Sequence, residues 1–155
     1  MPTHVRRAHW YEGDVVALGN VVVLLVMVRM ALTLRPFPAV RKWVLSRASR
    51  GTQPLVDGAL DDDRALRRAV QRGARLLPGT TCLPQALAGL LFASSRGLRA
   101  WVCIGVQAGS DEPFGAHAWL VTARGVVIGG EEAARFTPLL LIEPAGPARS
   151  AGIER

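Results

Sequence analysis

Lysine is nearly missing from this chain. Lys42 is the only one among 19 basic residues, so the formal charge of +7 is carried almost wholly by arginine. The arginines are scattered among Ala, Gly and Val with no interleaved aromatics, which argues against a surface that stacks single-stranded nucleic acid. No nucleic-acid partner is expected. The surplus suits arginine-rich codon usage as well as an anionic partner. Cysteine is scarce too, and two residues, Cys82 and Cys103, are too few for a disulfide scaffold. Two free thiols and a cytoplasmic location are expected. Of three histidines, His4 and His9 fall in a polar N-terminal arm. What remains offers no zinc ligand set, and neither metal nor cofactor is expected. The opening "MPTHVRRAHWYEGD" is polar and lacks the features of a secretory signal.

Apolar residues, in contrast, make up 50% of the 155, enough for one folded domain with a real core. The longest apolar run, Val15 to Leu34, has about the length of a membrane span. It also carries Asn20 and Arg29, and an arginine at mid-membrane costs on the order of 2.5–3.5 kcal/mol. Burial against protein is the preferred reading. Peripheral membrane contact stays open because Arg35, Arg41, Lys42, Arg47 and Arg50 follow at once.

The patterning predicts helices over 14–34 and 37–49, a connector "RGTQPLVDG", and a third helix opened by Asp61–Asp63 and closing towards Pro78. A fourth helix begins near Cys82, behind Thr80 or Thr81 as N-cap, and stops at Gly97. Strands follow in "LRAWVCIGVQ", "GAHAWLVT", "VVIGGEE" and "RFTPLLLIE", read as an antiparallel meander. The fold class is α+β: N-terminal helices, then a cysteine-bearing central helix packed on a small antiparallel sheet. The division is an N-terminal helical region over 1–50, a core over 51–143 and a disordered tail over 144–155.

Chemistry concentrates on two residues. A thiol at a helix start sees the positive end of the dipole and unpaired N–H groups, which favour thiolate and can hold an oxyanion. Cys82 occupies such a place, whereas Cys103 lies in an apolar strand as a small hydrophobe. His117, inside the apolar strand "GAHAWLVT", needs a polar partner. If Ala123–Gly125 form a three-residue loop, Thr122 pairs with Val126 and His117 faces Glu131, a carboxylate able to fix the imidazole. With a two-residue loop Glu131 points away, and Glu132 or Asp111 takes its place.

This order resembles the transglutaminase-like branch of papain-type cysteine enzymes: cysteine at a helix start, histidine on the second strand, carboxylate on the third. Closer still, "CLPQALAGLLFASSRGLRAWVCIGV" followed by "FGAHAWLV" and "GVVIGG" is similar to the leader peptidases of lasso peptide biosynthesis, over Thr80 to Pro138. The resemblance implies Cys82 as nucleophile and His117 as base. Its activity would be removal of the leader from a ribosomally made precursor peptide. Implied partners are that precursor, a small leader-binding recognition protein and the ATP-dependent lasso cyclase. The family's aspartate near the third position is replaced here by Gly129-Gly130-Glu131, leaving Glu131 as the candidate. The Val15–Leu34 helix is expected to dock on these biosynthetic partners.

Overall fold

The apolar run that opens the chain is helical in the computed structural model, which describes residues 14–50, 55–107 and 115–145. Helix α1 (Asp14–Leu34) ends two residues before Pro36, and α2 (Phe37–Ala48) starts directly after it, with proline tolerated in the first turn. Helix α3 (Leu60–Leu76) carries Asp61–Asp63 in its first turn, and the Ala59 N–H donates to Asp62 Oδ2 at 2.7 Å. Helix α4 (Cys82–Ser95) is closed by Gly97 at φ +72°. There Leu98 N–H reaches Ala93 O at 2.9 Å and Gly97 N–H reaches Ser94 O at 3.1 Å, the paired bonds of a Schellman cap.

Every residue of α4 from Ala86 to Ser94 is buried. It is the central element, with α1, α2 and α3 around it and the sheet beneath. Gly73 lets α3 close on α1, since a Cβ there would lie 2.8 Å from Val21 Cγ1. Gly89 does the same between α4 and the sheet, where a Cβ would lie 2.8 Å from Leu120 Cδ2.

The strands are β1 (Trp101–Gln107), β2 (Gly115–Thr122), β3 (Gly125–Ile128) and β4 (Thr137–Ile142), all antiparallel, in the order β3-β2-β1-β4. The expected meander is corrected by this order. After β3 the chain bends at Gly129 (φ +77°), makes one helical turn, α5 (Gly130–Ala133), and crosses to the far edge beside β1. The β2–β3 register is corrected as well. Thr122 pairs with Gly125 and Val121 with Val126, so the loop has two residues, and a bulge then restores the Leu120–Ile128 pairing. Val102, Leu120, Ile128 and Ile142 share the face that packs on α4.

Burial of α1 in protein holds along one stripe only. Ala17, Val21, Leu25 and Val28 are buried, while Val16, Val23, Met27, Met30 and Leu34 are exposed. The tail beyond residue 145 lies outside the described residues.

Candidate active site

Cys82 is the first residue of α4, behind Thr81 in extended conformation at the N-cap. Pro84 has no N–H, and the Gln85 N–H is taken by Thr81 O at 3.4 Å. The N–H groups of Cys82 and Leu83 are therefore those the first turn leaves unbonded among the described residues. The loop leading in is braced from both sides. Arg29 Nη1 donates to Pro78 O at 3.0 Å, the Thr80 hydroxyl to Leu77 O at 2.6 Å, and the Gln85 amide to Thr80 O at 3.1 Å. An open cavity of about 270 Å³ adjoins this loop, lined by Arg29, Leu32, Thr33, Gly79, Thr81, Leu83 and Pro84.

His117 sits on β2 opposite Gly105 and is only 9% exposed. Its Nε2 lies 3.0 Å from Gly129 O. A carbonyl only accepts, so Nε2 carries the hydrogen and Nδ1 is the bare nitrogen of the neutral ring. Nδ1 lies 3.9 Å from Glu132 Oε2, close enough for charge attraction once the ring is protonated, too far for a hydrogen bond. The ring stacks on Phe136 at 5.1 Å and on Trp119 at 5.9 Å between centroids.

Strand alternation decides which way this imidazole points. Leu120 reaches Gly89 of α4 and the Thr122 hydroxyl bonds Asp63 of α3, so the even positions of β2 face the helices. His117 and Trp119 face the other way, under the crossover that carries Phe136. No hydrogen bond links the imidazole to Cys82.

The carboxylate beside His117 is Glu132. Glu131 is exposed on α5, without a hydrogen bond or ion pair to any described residue, because β3 ends at Ile128 before its register could bring Glu131 across. Asp111, His4 and His9 lie outside the described residues. Cys103 pairs with Trp119 on the sheet face that carries His117, and burial pushes its thiol pKa up. Arg29, Gly129 and Phe136 were not anticipated as parts of this region. The glycine pair 129–130 was the one sequence signal that marked a bend there.

A family model described as the transglutaminase-like superfamily matches residues 24–141. No curated protein and no solved structure matches the chain.

Proposed function

This chain belongs to the transglutaminase-like superfamily, which includes cysteine peptidases and acyltransferases, and we propose that it is a cysteine peptidase acting on a lasso peptide precursor. The observation that carries this reading is Cys82 at the first position of the buried helix α4, with its own N–H and that of Leu83 unbonded among the described residues. In this reading the Cys82 thiolate attacks the amide between leader and core. A carbon–sulfur bond forms, and the oxyanion rests on the Cys82 and Leu83 N–H groups. Protonated His117 gives its proton to the core amine as the carbon–nitrogen bond breaks. Water then hydrolyses the thioester with His117 as base, releasing the leader carboxylate and restoring the thiol.

This sequence requires His117, which bonds Gly129 O on the sheet face away from α4, to leave that carbonyl and come within reach of the thiol in the working complex. Glu132 is the carboxylate that the reading assigns as partner of the imidazolium, in place of Glu131. The cavity beside Thr81 suits an extended peptide lying across the helix start. The precursor, a leader-binding protein and the lasso cyclase complete the assignment, in the cytoplasm.

A second reading is favoured by one observation, the placement of His117 on the sheet face away from α4. On it the protein is a non-catalytic adaptor whose cysteine and histidine are structural. The deciding experiment mixes the protein with its neighbouring leader-binding protein and precursor peptide, and follows leader release by mass spectrometry. Cleavage abolished by Cys82→Ala and by His117→Ala but retained in Cys103→Ala supports the peptidase. Cleavage surviving Cys82→Ala, or absent from the wild type with both partners present, returns the thiol to the core. A leader recovered joined to an added amine rather than as the free acid would identify an acyltransferase.

A further inference from the structure

Among the residues that α1 leaves exposed, which also include Val15, Gly19, Val26 and Thr33, one set is regularly spaced. Val16, Asn20, Val23, Met27, Met30 and Leu34 are all exposed and follow one another by four, three, four, three and four residues. This is the 3.5-residue repeat of a coiled-coil seam, with Asn20, Met27 and Leu34 at a and Val16, Val23 and Met30 at d. The residues α1 buries within its own fold, Ala17, Val21, Leu25 and Val28, fall at e, b, f and b, behind that seam.

We propose that this seam packs against the same seam of a second copy of the chain, the two α1 helices forming a parallel coiled coil. Asn20 selects the occupant. In a parallel pair it meets its own copy across the two-fold axis, and each amide gains a partner, the arrangement by which one a-position asparagine fixes register in two-stranded coils. An antiparallel pairing about the middle of the seam would set Asn20 against Met30, and lipid would offer the amide nothing. The flanking positions agree: Gly19, Leu24, Val26, Ala31 and Thr33 bring no charge to e or g, so two chains of +7 meet there without repulsion. A specific interface buries about 1,200–2,000 Å² in all, and the seam offers six side chains towards it, of which Val16, Val23, Met30 and Leu34 are more than half exposed. Insertion into a bilayer would instead strip α1 from α3, where Val21 and Leu25 are fully buried against Gly73.

Sedimentation velocity on the full chain over a wide concentration range is expected to give a reversible dimer. Val23→Glu combined with Met30→Glu is expected to raise its dissociation constant at least about tenfold. Both positions are exposed, so an unchanged circular dichroism melt at monomer concentrations confirms that the fold is intact. Met27→Cys, which leaves Asn20 in place, is expected under mild oxidation to give a dimer in which peptide mapping joins the two position-27 thiols. A monomer at every concentration overturns the proposal, as does a dimer indifferent to the glutamate pair. Cross-linking found only when Met27→Cys and Val23→Cys chains are mixed overturns the parallel arrangement. Flotation of a monomer with phosphatidylcholine–phosphatidylglycerol vesicles, abolished by the glutamate pair, would give the seam to a membrane instead.

Discussion

Replacing Gly129 by alanine tests the surroundings of His117 at their tightest point. Gly129 holds φ +77°, where an L side chain costs about 1–2 kcal/mol. Its new Cβ would stand 3.0 Å from Ala118 O, 3.1 Å from His117 Nε2 and 3.2 Å from Trp119 Cβ. Two of those atoms belong to a paired central strand and cannot retreat, so the strain falls on the imidazole. Crowding of this kind typically costs about 1–3 kcal/mol. Displacing the ring forfeits its bond to Gly129 O, a further 0.5–1.5 kcal/mol or so. Lower entropy of the unfolded alanine chain works against the other terms and returns about 0.4–1 kcal/mol. The balance is a loss of about 1.5–6 kcal/mol, which for a domain of this size lowers Tm by roughly 3–24 °C. Differential scanning calorimetry measures it directly. Gly19→Ala is the control: it sits in α1 with nothing within 4 Å of the added Cβ and should hold or raise Tm. If Gly129→Ala melts within about 2 °C of the wild type, the bend at Gly129 and its contact with His117 are refuted.

Phe92, fully enclosed in α4, should cost about 3–5 kcal/mol when truncated to alanine, read from urea unfolding. Asp63 supplies a pH test. Burial, ahead of a smaller repulsion from Asp62, raises its pKa above 3.8, against the Thr122 hydrogen bond and the charge of Arg124. The native state therefore holds this proton more tightly than the unfolded chain. Its contribution to stability is full below about pH 3.8 and is lost as pH rises through the raised value. Asp63→Asn should remove that fall, and an unchanged pH–stability curve would contradict it. Thr122→Val, which takes away the hydroxyl donating to Asp63, should destabilise by about 1–3 kcal/mol at neutral pH and by less in acid. With iodoacetamide at mildly acid pH, the Cys82 peptide should alkylate well before the Cys103 peptide, whose thiol burial holds in the protonated form; equal rates count against an activated Cys82. In the leader-release assay Glu132→Gln should lower kcat/KM at least about tenfold, while Glu131→Gln stays within about twofold.

The helices were legible because each is marked at one end at least by local chemistry. Pro36 separates α1 from α2, Asp61–Asp63 open α3, and Thr81 and Gly97 bracket α4, so a central, buried α4 followed from sequence alone. The four strands were legible as apolar runs, but their neighbours were not. Alternation says which residues share a face and is silent on which strand lies beside which, so a meander, with β4 beside β3, is the natural expectation although β4 pairs with β1. The same limit governs the site. That His117, Trp119 and Val121 share one face, opposite Ala118 and Leu120, can be read from the strand. Which face receives α4 depends on Leu120 filling the space Gly89 leaves open, a contact between residues 31 positions apart. Glu131 was chosen by extending β3 through "GGEE", where glycine's freedom at positive φ permits a bend that a branched residue would have resisted. The α1 seam shows the converse. Its four-three spacing was present in the sequence throughout, yet an apolar run rich on every side offers several such stripes. Only the packing of Val21, Leu25 and Val28 shows which stripe is spent on the chain's own core, and thereby which one is left exposed.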